Sequence, residues 1–418
     1  MKRQMKAINK NLLLYLLGRM VSDTGTSVQI MIMPLYIIDV GGSAATVGIF
    51  SFLSMLPALL IAPFAGVIGD RLNRKTIMVV TDLVSSIVIL WLGALSYLGM
   101  MNLPILMIVQ VIISLLNGMF ESATRGMLPK LVNKDELTKS NSMVASLKSI
   151  SFMLGPVLGA MLYANFGITI IFLVNGISFS MSAISETMIS YLHVKRELSV
   201  GISGILNDLS EGFKFIMKNK IIRKLCYFFL VVYLLVQPIM GVVLPLFYKT
   251  SLQYSDTQYG YLQAIIIFGM LIGSILVSVV SKKEDNITKP ITLGSTLLMT
   301  SMLAFSALTF PNSFLIIGNE SILYFVILAS VLCLFSVANM FISVPVQSYI
   351  QKETPDEYMS RVFSLISMIS KGGMPIGALI YGVILNKLEV HWTVMGMTIL
   401  MVLISVIFLI SLLKTHEH

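Results

Sequence analysis

The sequence predicts an all-α polytopic membrane protein of twelve transmembrane helices, arranged as two pseudo-symmetric six-helix bundles. Three observations lead there. Apolar runs of about 20 residues recur along the whole chain, each long enough to cross the hydrocarbon core. The chain is 56% hydrophobic with mean hydropathy +0.89, and its 12% of charged residues is about half the share of a soluble domain. A transmembrane barrel would instead show short alternating segments. The second observation is an internal repeat. Pro34-Leu35-Tyr36 followed by Gly48 returns as Pro245-Leu246-Phe247 followed by Gly260, and Ser151 to Ala160, with Gly155, Pro156 and Gly159, returns loosely as Ser370 to Ala378. Two diverged halves are what an alternating-access carrier requires, because one can rock against the other around a site at their interface.

The third observation is where the charge lies. The net charge of +9 comes from 29 Lys and Arg against 20 Asp and Glu. Of those 29, 23 fall in segments assigned to the cytoplasm. Only Lys249 and Lys387 fall in external loops, and Arg19, Arg125, Lys148 and Lys371 fall inside helices. This is the positive-inside pattern. It points to a cytoplasmic membrane, with both termini cytoplasmic, and not to nucleic acid.

The expected spans of the first half are roughly 11–38, 45–69, 76–98, 103–128, 140–164 and 168–192. Those of the second are roughly 223–249, 257–281, 290–310, 321–350, 359–386 and 391–413. The domains are therefore 1–192, a linker 193–222, and 223–418. The basic start, Met1 to Lys6, has no small-residue cleavage site after its apolar run and is expected to stay as part of the first helix. Within the linker, Ile205 to Met217 has helical spacing of Leu209, Phe213 and Phe215, as an interfacial helix would. The short external links leave no room for a large extracellular domain.

In span 1, Tyr15, Arg19, Ser22, Asp23 and Thr26 recur at spacings of three and four and form one polar stripe. Arg19 lies about 13 Å in from Lys10 at 1.5 Å per residue, and Asp23 is one turn deeper. Span 4 runs the other way and carries Asn117, Glu121 and Arg125 on one face, with Glu121 about as deep as Arg19. Each unpaired charge at the bilayer centre costs on the order of 3 kcal/mol. Arg19, Asp23, Glu121, Arg125, Lys148 and Lys371 would together cost about 18 kcal/mol in lipid, so they pair or face water. Two arrangements are open. One is intrahelical pairing of Arg19 with Asp23 and of Glu121 with Arg125. The other is a wet cavity with an Arg19–Glu121 bridge, in which Asp23 and Glu121 exchange protons. Lys148 and Lys371 have no carboxylate on their own helices and are expected to attract an anionic group or, for Lys148, to snorkel. Asp82 and Glu186, near cytoplasmic helix ends, are expected to be solvated. In the second half Tyr227, Tyr233 and Gln237, and Asn339, Ser343 and Gln347, are polar groups at cavity depth. The 29 Met residues are ordinary core and lipid-facing Met more readily than a drug-binding surface.

Between spans 2 and 3 stands Gly66-Val67-Ile68-Gly69-Asp70-Arg71-Leu72-Asn73-Arg74-Lys75. It reads as a tight cytoplasmic turn in which Asn73 takes a left-handed conformation. The run resembles the G-x-x-x-D-R-x-G-R-[RK] loop of the major facilitator superfamily, matched by Gly66, Asp70, Arg71, Arg74 and Lys75, with Asn73 for the usual Gly. The resemblance covers essentially the whole chain. It implies a cytoplasmic gate in which Asp70 faces a helix N-terminus near span 11 and Arg71 and Arg74 relay charge. The matching loop of the second half, Ser281 to Asn286, has lost the pattern.

Span 5 carries Ser151-x-x-x-Gly155-Pro156-x-x-Gly159-Ala160, which resembles the G-x-x-x-G-P-x-x-G-G motif of proton-coupled exporters. Physically it is a smooth, kinkable face for a sliding neighbour. The mid-span Arg-Gly of many such exporters is missing from span 4, where Arg125-Gly126 lies near the cytoplasm. The general style is similar to the macrolide-efflux and siderophore-exporter branch.

The function implied is drug-type or macrolide-type efflux by proton antiport, with a small-molecule substrate, protons and membrane lipid as partners, in a monomer. The alternative is a carrier for one native metabolite, such as a siderophore or peptide, of unset direction. A non-transporting receptor or an enzyme is more remote. No cofactor and no metal are expected. Cys226 and Cys333 lack ligand spacing, and His193, His391, His416 and His418 sit in loops, helix ends or the tail. No Gly-x-x-x-x-Gly-Lys-[Ser/Thr] loop offers ATP drive.

Overall fold

Helices make up all the regular structure in the computed structural model, which describes residues 2–71, 73–133, 136–190, 202–281 and 288–416. The first half contains α1 (Lys2–Asp39), α2 (Ala44–Arg71), α3 (Arg74–Tyr97), α4 (Leu103–Leu131) and α5 (Leu137–Thr187). Next come α6 (Ile202–Lys218) and α7 (Lys220–Leu235), then two π-helical turns, Ile239–Val243 and Phe247–Leu252, on either side of α8 (Leu244–Leu246). The remainder is α9 (Asp256–Ser281), α10 (Thr288–Leu308), α11 (Pro311–Ile317), α12 (Ile322–Glu353), α13 (Asp356–Leu385) and α14 (Val390–His416). Among the described residues, nine helices are long and apolar enough to cross a membrane, and the twelve-span count is consistent with them. Large apolar side chains stand outward on these helices, among them Ile87, Ile108 and Ile407, as on a lipid-facing surface.

Helix α5 holds two of the expected spans. Its 51 residues would run about 76 Å if straight, well beyond a bilayer of about 40–45 Å. Gly167, at φ 73° and ψ −170°, breaks it into two arms, a conformation L side chains rarely adopt. Other ends are set by local capping. Asn102 Oδ1 accepts from Ile105 N, Asn219 Oδ1 from Ile221 N and Ile222 N, and Ser321 Oγ from Tyr324 N. Asn73 departs from the expected left-handed turn. It is extended (φ −66°, ψ 112°) and caps α3 by accepting from Lys75 N. Its short polar side chain serves a helix start better than a positive φ would.

The seventh span departs from a regular helix. Pro238 and Pro245 each lack an N–H, and the wider π turns beside them re-pair backbone groups that a regular helix would leave open. The short α11 between α10 and α12 was not expected from the hydropathy and begins at Pro311, where a missing N–H costs nothing.

Contacts divide the chain into two units, Met1–Gly41 with Leu53–Ile205, and Gly42–Phe52 with Leu206–His418. In the first, α1 packs on α5, α3 packs on α5 and α4, and Ser114 of α4 donates to the Ser54 carbonyl of α2. In the second, α7 packs on α13 and α14, α10 on α14 and α12, and α9 on α12. Taken span by span these are the same pairings. The sequence repeat is also a packing repeat. Gly155 and Gly159 of α5 meet α1 at Ser27 and at the Val28 carbonyl, and a Cβ on Gly159 would sit 3.1 Å from that oxygen. Gly373 and Gly377 of α13 meet α7 at the carbonyls of Leu230 and Leu234, with 2.6 Å for a Cβ on Gly373. In both units a small-residue face lets two backbones approach.

Candidate functional site

The polar stripe of α1 meets the polar face of α4 inside the first unit. Arg19 is only 5% exposed. Its Nη2 donates to Glu121 Oε1 at 3.0 Å, and its Nη1 donates to Thr124 Oγ1 at 2.8 Å. The guanidinium also lies 3.6 Å from Asp23 Oδ2 and stands over the Phe120 ring, 5.3 Å from its centroid. Tyr15 seals the end of the stripe by donating to the Thr124 carbonyl at 3.2 Å.

Glu121 is the hub. Lys148, from the first arm of α5, donates to the same Oε1 at 3.0 Å, and Arg125 Nε lies 3.7 Å from Oε2. The i,i+4 pairs and the cross-helix Arg19–Glu121 bridge occur together here. Lys148 is a correction. It is ion-paired to Glu121, with its ammonium 6.0 Å from the Phe152 ring, and does not stand open for an anion. Three cations surround two carboxylates, which leaves one positive charge over. Within a bilayer each of these charges requires such compensation. Lys371, by contrast, is exposed on α13.

Asp82 and Glu186 are a second correction. They are 2% and 1% exposed, not solvated. Asp82 lies on α3, Glu186 on the last turn of α5, and Ser182 one turn before Glu186. The cause is helix packing. Asp82, Ser182 and Glu186 lie where α1 and α3 both pack on α5, and Gly18 of α1 faces Ser182 and Ser185 there. A sequence signal existed in Ser182-x-x-x-Glu186 and Asp82-x-x-Ser85-Ser86, two polar faces at helical spacing. Further along the same seam Asn175 Nδ2 donates to Gln29 Oε1 at 2.6 Å, and Gly25 makes room for Ser178.

Of the loop motif, Gly66, Asp70 and Arg71 have helical backbone at the end of α2, and their side chains lie outside the described residues. The Arg74 guanidinium rests directly on Gly126 of α4, where any Cβ would collide with it. Lys75 Nζ donates to the Thr187 carbonyl at 2.7 Å, tying the loop to the end of α5. The Arg125-Gly126 pair thus serves two contacts, Arg125 toward Glu121 and Gly126 toward Arg74. The Ser281 to Asn286 loop lies mostly outside the described residues.

Thr26 and Asn117 are half-buried in the first unit. In the second, Tyr233 packs edge-on to Phe229 with centroids 6.3 Å apart, Gln237 is half-buried, and Ser343 donates to the Asn339 carbonyl at 2.9 Å. Tyr227 is 58% exposed and Gln347 is exposed. Among the described residues no group of three or more His, Cys, Asp or Glu could hold a metal ion.

The profile of the Major Facilitator Superfamily matches residues 15–378. Macrolide efflux protein A of Streptococcus pyogenes is 25% identical over 395 residues, covering 92% of this chain and 91% of its own. Multidrug efflux pump Tap of Mycolicibacterium fortuitum is 22% identical over 410 residues, covering 95% of this chain and 94% of its own. A crystal structure of a bacterial homologue of the iron transporter ferroportin, in an inward-facing state, superposes with a TM-score of 0.72 at 15% identity, over 97% of this chain and 99% of that one. That last likeness is one of fold.

Proposed function

This chain belongs to the Major Facilitator Superfamily and is a multi-pass membrane transporter, not an enzyme; from that membership we propose that it is a secondary active exporter of small amphipathic molecules of drug or macrolide type. It works in the cytoplasmic membrane as a monomer with both termini inside, exchanging substrate for protons by alternating access.

The observation that carries this reading is the charge cluster around Glu121, with Arg19 buried against it. A transporter of this fold has no structural need for five ionised groups on α1, α4 and α5. Buried ion pairs are weak evidence for stability, and their best-attested use is to define discrete states. An Arg19–Glu121–Lys148 hub linking three helices is a set of contacts that can be made in one state and broken in another. The small-residue faces at Gly155/Gly159 and Gly373/Gly377 supply surfaces on which helices shift at low cost. The efflux names of the two relatives favour the outward direction.

The test uses everted membrane vesicles containing the full-length protein, with ethidium and erythromycin as probes. An acid interior should drive accumulation of at least one probe, and an uncoupler should abolish it. Glu121→Gln and Asp23→Asn should reduce gradient-driven accumulation at least tenfold. Accumulation that survives the uncoupler would refute proton-coupled export, and full activity in both variants would refute a role for the Glu121 hub in it.

A further inference from the structure

The seam between α1, α3 and the second arm of α5 holds a group that the Glu121 cluster does not use. Asp82 Oδ2, both carboxylate oxygens of Glu186, and Ser182 Oγ are buried without a hydrogen-bond partner. The three side chains are 2%, 1% and 0% exposed. Ser86 Oγ of α3 lies 2.6 Å from Ser180 Oγ of α5 and Ser96 Oγ lies 2.8 Å from Thr169 Oγ1, an antiparallel register that sets Asp82 opposite the Ser182–Glu186 turn. No Lys, Arg or His among the described residues comes within ion-pair distance of either one. The charged groups acting on them from neighbouring elements are Arg19 and Asp23 of α1, with Arg19 felt by both carboxyls and Asp23 by Asp82. Arg19 is already committed to Glu121, Thr124 and Asp23.

Two bare carboxylates side by side in a dry seam are not a stable arrangement. Each would be desolvated, and each repels the other. A hard divalent cation would need six or more oxygens, and among the described residues no third carboxylate, His or Cys joins the pair to hold one. A single proton resolves the problem with the atoms present. One carboxyl becomes the donor and the other the acceptor, and Ser182 donates to the remaining oxygen. The pair then carries one negative charge, which faces Arg19. At Glu121, by contrast, an incoming proton must displace two cation contacts at 3.0 Å.

We propose that Asp82 and Glu186 hold one proton between them against Ser182, and that this pair, not Glu121, is the seat of the exchanged proton. The carrier role rests on the antiport reading above; the shared proton does not. Arg19 acts electrostatically on the pair and is bound to Glu121, so loss of the proton from the pair strengthens its pull on Arg19 and competes with Glu121. This gives a physical link between proton occupancy and the hub on α4.

The experiment has two arms. In the first, infrared difference spectra of the purified full-length protein are recorded against pH, with no substrate. A protonated-carboxyl C=O band is expected at neutral pH. It should shift in heavy water, vanish in both Asp82→Asn and Glu186→Gln, and persist in Glu121→Gln. Ser182→Ala, a change too small to threaten folding, should move the band without removing it. A band unchanged in Asp82→Asn, Glu186→Gln and Ser182→Ala overturns the proposal. So does loss of the band on adding sodium or calcium at fixed pH, which would make the pair a metal-ion site. In the second arm, gradient-driven ethidium accumulation should fall at least tenfold in Asp82→Asn and Glu186→Gln. Full coupled transport in both variants refutes the carrier role. If the wild type exports nothing, the antiport reading fails while the infrared arm still decides the shared proton.

Discussion

Arg19 shows how unevenly the charges of this molecule are held. It is buried, and Glu121 is its shortest ionic contact, so Glu121→Ala leaves a buried guanidinium with Asp23 at 3.6 Å as its nearest carboxylate. Breaking a buried pair in this way costs on the order of 3 kcal/mol. Arg125 contacts the same carboxylate but its side chain is 73% exposed, so Arg125→Ala should change stability by less than about 1 kcal/mol. Thermal unfolding of the detergent-purified variants should therefore show a clear fall in Tm for Glu121→Ala and almost none for Arg125→Ala. Equal falls would mean that the hub does not depend on burial. The sequence showed that Arg19 and Glu121 reach similar depth. It did not show Thr124, because a hydroxyl three residues after Glu121 is unremarkable until a guanidinium is placed against it.

At the level of elements, small residues set the distances between helices. Gly377 lies so close to the Leu234 carbonyl that no side chain fits between the α13 and α7 backbones. The obstacle is main chain and cannot rotate away. Gly377→Val should force the helices apart and lower both Tm and the amount of folded protein in the membrane. Gly396, which has nothing within 4 Å of its Cβ position, should accept Val with little change. A fluorescence-detected size-exclusion profile of the two variants checks this, and a normal profile for Gly377→Val would contradict the close packing. The Gly155 and Gly377 faces were legible because a repeated pattern of small residues is a one-dimensional signal. The π turns of the seventh span were not, since Pro238 and Pro245 announce a break without specifying how the backbone re-pairs.

At the scale of the whole molecule, charge asymmetry predicts orientation. With the two native cysteines replaced, Lys387→Cys should react with an impermeant maleimide applied to intact cells, whereas Lys218→Cys should react only after permeabilisation. The reverse pattern would invert the proposed topology. Lys387 stands after the end of α13 and Lys218 ends α6, so neither change disturbs a helix interior.

Sequence alone determined the helical membrane class, the repeated small-residue pattern and the presence of ionisable groups within apolar helices. Those properties are written in hydropathy and period, which act along one chain segment at a time. Only the tertiary structure decided which ionisable groups have partners. Asp82 and Glu186 look like ordinary helix-end carboxyls until the packing of α1 and α3 on α5 buries them, while Lys148 looks unpaired until α5 brings it to Glu121. Helix rotation and separation set those neighbours, and they are settled by packing among segments distant in sequence.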